Sequence, residues 1–372
     1  MDKNNGQAAM NEQPWTKERI SCCYINAARM LLPICPWLFV HGCLSIFFVH
    51  VRPSIALCCC SFFITYFSVL DAELEKISSK KIIIVGVCQN VAKAVPTTIR
   101  NAEALGSRFA DYAVVIYENN STDRTVSLLN TWAQANPHVT FVTEKLQSFQ
   151  LPKARTEKIS RARNIALSLI RNPKFNDFEY TLMVDLDFTH DWPIEELMET
   201  LQKPVDWDCV AANGIAGKVY YDRYAFRNSE YPFGPELLMA SWWRDLNKTW
   251  FGFNGEEWIS VYSAFGGFAI YKTATITQFS YSGTVTADLK KYYETILHSV
   301  PSDNVYLKMY RELLKTTKPK SSFGIIFQEN TPHFGLAAAP TCCEHLPLHA
   351  SMALCGYSKF YVNPKMKIHY FR

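Results

Sequence analysis

YTLMVDLDFTH, residues Tyr180–His190, is the stretch on which the fold turns. An apolar run ends abruptly in two carboxylates, Asp185 and Asp187, with Leu186 between them. The run suits a strand buried on both faces, as in a parallel sheet covered by helices. On a strand, residues i and i+2 share a face. At the strand end, a bend can turn both acids toward one ion.

The chain N-terminal to this stretch repeats the same grammar. KIIIVGVC (Lys81–Cys88) is β-branched and apolar, as a central parallel strand should be. VPTTIRNAEALGSRF reads as a helix opening with Pro96, YAVVIYE as a second strand, DRTVSLLNTWAQA as a helix and HVTFVTE as a third strand. EKISRARNIALSLIR is a helix with apolar residues at Ile159, Ala162, Ile165, Ala166 and Leu169, and YTLMVDLD is the fourth strand. The alternation predicts an open, mostly parallel α/β sheet with flanking helices, in a domain covering residues 78–372. Ligands bind such sheets beyond the carboxyl ends of the strands. Three polar features fall at that edge: Cys88-Gln89-Asn90, the ENNSTDRT segment (118–125) and the paired acids. The aromatic-rich stretch from Tyr220 to Phe268 has no clear periodicity and reads as irregular.

Composition sets the class. The 372 residues are 48% hydrophobic and 19% charged, a globular balance. Net charge is +4 without a Lys/Arg-rich block, so nucleic acid is not an expected partner. The apolar excess is concentrated in Leu31–Val51 and Ser54–Leu70, both free of Asp, Glu, Lys and Arg. A bilayer-spanning helix needs about 20 residues, so the first run is long enough and the second marginal. One or two transmembrane helices within 31–70 are expected, after an N-terminal segment 1–30. Lys17, Arg19 and Arg29 before the region and Lys76, Lys80 and Lys81 after it suit a hairpin with both ends, and the catalytic domain, in the cytoplasm. A single span with a lumenal catalytic domain stays open. Asn119, Asn120 and Asn247 begin N-x-S/T sequons, and a glycan on the first two would block the second-strand loop. The twelve cysteines show neither C-x-x-C pairs nor zinc spacing, which predicts reduced thiols.

Paired oxygen ligands at Asp185 and Asp187 suit Mg²⁺ or Mn²⁺, hard ions that also bind phosphate oxygens. An ion held there would clamp a diphosphate and stabilise charge as it leaves. The bland alternative is a pair of solvated loop acids. DLDFT also fits an aspartyl-nucleophile phosphatase using Asp185, but about a hundred residues of α/β pattern precede it, and the acids of PVDWDCV come before an apolar run instead of ending one. G-x-G-x-x-G is absent from the first strand, which excludes a dinucleotide dehydrogenase.

Several stretches together resemble glycosyltransferases of the GT-A fold. VVIYENNSTDRT is similar to their second-strand end. The resemblance implies that Glu118 meets the base or ribose and that Asp123 supports the loop or nucleotide. ISRARNIAL resembles their ARN helix, which implies Arg161, Arg163 and Asn164 at the diphosphate. AFGGFAIYK looks like the acceptor-side glycine loop, with Gly266 and Gly267 allowing close approach of backbone to the donor sugar. CCEHLPLH carries Glu344 where an acid faces the acceptor hydroxyl, and MKIHY carries His369, similar to a late metal-ligating histidine; His345 or His349 are the alternatives. AANGIAGKVYYDRYAFRN together with CCEH resembles fungal capsule-associated α-1,3-mannosyltransferases and related bacterial family-2-like glycosyltransferases. The chain departs from the pattern in having Glu118-Asn119 where Asp-Asp or Asp-Asn is usual, and His345 where a second acid follows. The resemblance implies a membrane-attached, metal-dependent transferase. It would move a sugar from a nucleotide-sugar donor, GDP-mannose with retention by the mannosyltransferase likeness, to a glycan, lipid or protein. In it Asp185 and Asp187 hold the ion, and Glu344 serves as base if the reaction inverts. A catalytically silent nucleotide-sugar binder is the alternative of another class.

Overall fold

The computed structural model describes residues 77–238, 252–316 and 341–371. The 1–30 segment, the apolar runs within 31–70 and the Asn247 sequon lie outside the described residues. The described chain belongs to the compact unit Glu73–Arg372. Among the described residues no helix is long and apolar enough to cross a membrane.

The first half alternates strand and helix: β1 (Lys81–Cys88), α1 (Val95–Gly106), β2 (Asp111–Asn119), α2 (Thr125–Ala135), β3 (Val139–Glu144), α3 (Arg155–Ile170), β4 (Tyr180–Asp185) and α4 (Ile194–Gln202). The second half contains β5 (Cys209–Ala216), β6 (Val219–Tyr220), β7 (Ile259–Val261), β8 (Phe268–Lys272), α5 (Thr273–Ile276), α6 (Ala287–Ser299), α7 (Val305–Thr316), α8 (His345–Leu354) and β9 (Phe360–Phe371). All pair into one sheet of order β3-β2-β1-β4-β8-β5-β9-β7, with β6 on β5. β1, β2, β3 and β4 are parallel, β8 is antiparallel to both β4 and β5, and β9 returns parallel to β5. The stretch expected to be irregular therefore supplies two short strands, β6 and β7.

Both faces of the sheet are covered. Ile83, Val85, Tyr117 and Met183 pack with Ala162, Ala166 and Leu167 of α3 and Leu346 and Leu348 of α8. Ile82, Ile84, Leu182 and Val184 point the other way, against Leu105 of α1, Trp132 of α2 and Leu197 of α4. This is why the parallel strands read as unbroken apolar runs: neither side is free for polar residues. Each fully buried Ile, Val or Leu contributes about 1.5–3 kcal/mol.

The strand register aligns the carboxyl ends. Val87 of β1 stands beside Tyr117 of β2 and Asp185 of β4, and Cys88 beside Glu118. The three polar features thus share one edge. Among the described cysteines, Cys88, Cys209, Cys342, Cys343 and Cys355 are free.

Candidate active site

At one corner the strand-end loops are zipped together by side chains. Asn90, with φ 58°, accepts from Thr122 N through its Oδ1 (2.8 Å), while its own N–H donates to Ser121 Oγ (2.8 Å). Asp123 accepts from Ala92 N (3.1 Å) and Thr125 N (3.0 Å), so one carboxylate opens α2 and ties down the loop after β1. Its hydrogen bonds, the Thr125 hydroxyl's first, hold it below the usual carboxylate range. Glu118 is buried; one oxygen accepts from Ser121 N (2.6 Å) and the other from the Thr143 hydroxyl. It acts as the anchor of this corner, with both oxygens already engaged inside the protein. Asn120, with φ 61°, exchanges two hydrogen bonds with Leu146 (3.0 and 2.7 Å) and fixes the end of β3.

The spacer in D-L-D has its own task. Leu186 is buried on the same face as Leu182 and Val184, and a Cβ on Gly86 of β1 would collide with it. Seating Leu186 over Gly86 throws Asp185 and Asp187 to the opposite face, where α3 and α8 lie. The Asp185 N–H donates to Gly267 O (2.8 Å), which fastens the acids to the glycine turn. Gly266 and Gly267 have φ +65° and +81°, the left-handed region that favours glycine. A Cβ at Gly266 would strike the Ala212 carbonyl, and one at Gly267 the rings of Phe188 and Tyr370.

Arg163 closes the centre of the site. Its Nη2 donates to Asp185 Oδ1 (2.8 Å) and its Nε to Glu344 Oε1 (3.1 Å); the Arg163 side chain is 3% exposed and that of Glu344 8%. The guanidinium lies 4.6 Å over the Phe265 ring, and its Nη1 is buried without a partner. Glu344 precedes α8 at its N-cap position. The two carboxylates keep Arg163 charged against its burial. Burial pushes Asp185 up to about 6 against the pull of Arg163, with Asp187 and Glu344 adding like charge. Loss of hydration beside the protein also raises Asp187, whose surface is otherwise exposed and which no side chain hydrogen-bonds among the described residues. A further acid, Asp222, belongs to the same electrostatic group. Burial pushes it up to about 7, and Asp185 and Glu344 add to the rise.

The other expected site residues are distributed differently. Residues two apart on a helix point about 200° apart. Ala162 faces the sheet, so Arg161 and Arg163 flank it on opposite sides. Arg161 donates to Tyr117 Oη (2.8 Å) and Glu144 (3.1 Å), over β2 and β3. Asn164 clamps the backbone of Tyr281 in both directions (2.9 and 2.8 Å). Both line a cleft of about 570 Å³ beside α3 with Glu157, Ser160 and Gly283, and Tyr281, which also lines it, lies 5.8 Å from the Arg163 guanidinium. His369 is paired opposite Ile215 on β9. β9 lies three strand positions from β4, about 14 Å at a spacing of ~4.8 Å. Among the described residues no three His, Cys, Asp or Glu side chains are gathered as a metal-binding group, so Asp185, Asp187 and His369 are not assembled as the expected set. His349 is buried, engaged at Nδ1 by Ser263 Oγ (2.9 Å) and at Nε2 by Tyr271 Oη (3.0 Å). His345 stacks on Phe265 (4.0 Å), and burial first, then Arg163, holds it neutral. The sequence reading gave no role to Asp222, Tyr370 or Phe265, although each stands in a stretch singled out for resemblance, and it named Asn90 only as part of the polar edge.

A mostly parallel sheet with a reversed strand, β8, at its centre, polar loops at its carboxyl edge and a D-x-D pair near a second acid define a nucleotide-sugar transferase scaffold of the GT-A type. The chain belongs to the glycosyl transferase family 2: the family model matches residues 82–272, just over half the sequence. No curated protein matches the sequence. Among solved structures, the chain is similar to the Pyrobaculum calidifontis mannosyltransferase PcManGT in complex with GDP-Man and Mn²⁺, at 17% identity over 67% of this chain and 65% of that one, TM-score 0.34. It is similar to S. aureus TarS 1–349 in complex with UDP-GlcNAc, at 19% identity over 54% and 48%, TM-score 0.31. It is also similar to glucosyl-3-phosphoglycerate synthase from Mycobacterium tuberculosis in complex with UDP, at 12% over 54% and 59%, TM-score 0.32. The chain thus spans between about half and two thirds of these proteins' lengths.

Proposed function

We propose that this protein is a membrane-attached glycosyltransferase that moves a sugar from a nucleoside-diphosphate donor to a hydroxyl acceptor with the help of Mn²⁺ or Mg²⁺. The observation that carries the reading is the single buried guanidinium joining Asp185 to Glu344. It gathers the acid pair of the donor edge and the acid expected at the acceptor side into one site.

The donor set fits a divalent cation. Asp185 and Glu344 share one buried arginine, the charges of Asp187 and Asp222 act on this pair, and burial raises all three aspartates. Negative charge is in excess, and the ligands are hard oxygens. Asp187 and the oxygen of Asp185 turned away from Arg163 would hold the ion. Two carboxylates suffice, because Mg²⁺ keeps several waters and takes substrate phosphate oxygens. The ion would supply charge neutralisation for the departing diphosphate. Arg163 fixes Asp185 and Glu344 relative to one another. Glu344, held at 3.1 Å by that arginine, is poised to orient an acceptor hydroxyl, which agrees with the retaining alternative. Asn90, Ser121, Thr122 and Asp123 shape the corner where the nucleoside would lie. GDP-mannose as donor, a glycan, lipid or protein as acceptor, and attachment through residues 31–70 with a cytoplasmic catalytic domain complete the proposal. The Asp185 phosphatase alternative is set aside, since that carboxylate is ion-paired rather than open to attack phosphate.

The test is a screen of nucleotide sugars against the full chain, reading binding and hydrolysis with Mn²⁺, Mg²⁺ or chelator. Metal-dependent turnover of one donor supports the reading. Metal-independent turnover rejects the ion site, binding without turnover points to the silent binder, and absence of any binding rejects the class.

A further inference from the structure

Asp222 sits on the loop that follows β6, and several contacts fix it there. Tyr221 N donates to Gly214 O (2.8 Å), and Gly266 N donates to Asp222 Oδ2 (2.9 Å). The buried Arg227 guanidinium donates to the carbonyls of Tyr224 (3.2 Å) and Phe226 (2.6 Å) and grips Glu236 by both oxygens (2.9 Å each). The left-handed Gly266 and the buried Arg227 thus serve to hold one acid at a fixed place.

Of the carboxylates coupled at the centre, Asp185 and Glu344 share Arg163, but Asp222 has no such cation. Its partners are backbone N–H groups of Gly266 and Ala225, and among the described residues no basic side chain pairs with it. A partly buried carboxylate lacking a counterion is costly. Its cost is offset if a ligand donates to it. A phosphate would be repelled by the neighbouring acids, whereas a neutral hydroxyl would not. The adjoining surface matches that chemistry. Tyr221 is 43% exposed, unusual for so large a ring, and its ring lies tilted 4.2 Å from that of Tyr370, which in turn meets Phe188 at 5.1 Å. Aromatic faces beside a few placed polar groups are what pockets for small polar ligands present.

We propose that Asp222 and the exposed ring of Tyr221 form a sugar-binding subsite, the carboxylate accepting a hydrogen bond from a sugar hydroxyl and the ring packing on the sugar's C–H face. This rests on the glycosyl-transfer reading. The sugar belongs either to the donor or to the acceptor, and the two sources separate experimentally. Full-length Asp222→Asn, an isosteric change that keeps an oxygen for Gly266 N, is compared with the unsubstituted chain. The probes are GDP against GDP-mannose and UDP against UDP-glucose, with Mn²⁺, and methyl mannoside as acceptor. A hydrogen bond to a charged group contributes about 1.5–3 kcal/mol, so its loss costs about tenfold or more. With a donor subsite, the nucleotide-sugar binds about tenfold more weakly while the bare diphosphate is unchanged. With an acceptor subsite, binding of both is unchanged and KM for the acceptor rises about tenfold. Tyr221→Ala, at an exposed ring, must reproduce the same selective loss, and it decides the matter if Asp222→Asn fails to fold. Variants that match the unsubstituted chain in all three readings, or that lose the bare diphosphate in equal measure, overturn the subsite alone. An unsubstituted chain that binds no nucleotide or nucleotide sugar overturns the transfer reading and the subsite with it.

Discussion

Leu186 explains the two acids better than either acid does. Buried over Gly86, it fixes the parity of the strand end, so Asp185 and Asp187 both leave the opposite face. The two acids then differ in what holds them. Asp187 is exposed and, among the described residues, in no ion pair, so Asp187→Ala is expected to abolish transfer while leaving the thermal midpoint within about 1 °C, since surface changes away from special features lie within about ±0.5 kcal/mol. Retained activity in that variant would refute the ion site. Arg163 is the reverse case. Arg163→Met leaves the buried Glu344 and the half-buried Asp185 without their shared cation, and removing one partner of a buried network costs about 3–5 kcal/mol. Urea unfolding should register that loss, together with loss of turnover. His349 carries a pH effect of defined sign. Burial brings its imidazole down to about 3, against 6.5 in an unfolded chain. Between those values the unfolded state binds the extra proton, so stability is complete above about pH 6.5 and falls as pH drops toward 3. Asp185 and Asp222, raised to about 6 and 7, act in the opposite direction, gaining stability as pH falls toward 4. The comparison of His349→Gln with the unsubstituted chain isolates the histidine. The unsubstituted protein should lose about 2 kcal/mol more than the variant between pH 7 and 5, read from urea midpoints.

At the scale of elements, the Gly266-Gly267 turn binds β8 to the site. It gives its carbonyl to Asp185 N and its N–H to Asp222. Gly266→Ala meets both a left-handed φ and the Ala212 carbonyl, so a cost above about 2 kcal/mol is expected. Differential scanning calorimetry should show the lowered midpoint, with sugar transfer falling by more than the lost stability accounts for. The same turn marks the limit of what the sequence discloses. From Lys81 to Asp185 each element follows from its neighbours: continuous apolar runs for doubly covered strands, helical spacing between them, Pro96 in a first helical turn. The strands and helices there lie where the patterns placed them. Past Asp185 the determinants are distant. β6 is two residues and β7 three, too short for periodicity to declare itself. The β5–β9 register shifts between Ala212 and Asn213, which breaks alternation. Arg163 and Glu344 are 181 positions apart, and no local signal foretells their contact. The spacing RAR likewise hides that α3 turns its two arginines to opposite sides. Asp222 was obscured by lying among aromatics that obey no period.

For the whole molecule, the last strand is an interior member of the sheet. β9 lies between β5 and β7, and it buries Phe360, Val362, Met366 and Ile368 across both faces. Its partner β5 precedes it by about 150 residues: Cys209 stands beside Phe360 in parallel register. Contacts of such separation form late, because loop-closure entropy opposes them until most of the chain is in place. Removing everything after Tyr357 would strip that strand, open the edge of β5 and uncover four buried apolar side chains, each worth about 1.5–3 kcal/mol. The sum exceeds the about 5–15 kcal/mol by which a domain is normally stable once the lost hydrogen bonds of two ladders are added. It would also remove Tyr370, which packs against Phe188 and Tyr221 beside the glycine turn. The shortened chain is therefore expected to lack a cooperative thermal transition and to bind no nucleotide. A cooperative melt in the truncated chain would show that the parallel half folds without its non-local partner. Nucleotide binding in that chain would then place the donor site wholly on β1–β4 and their loops.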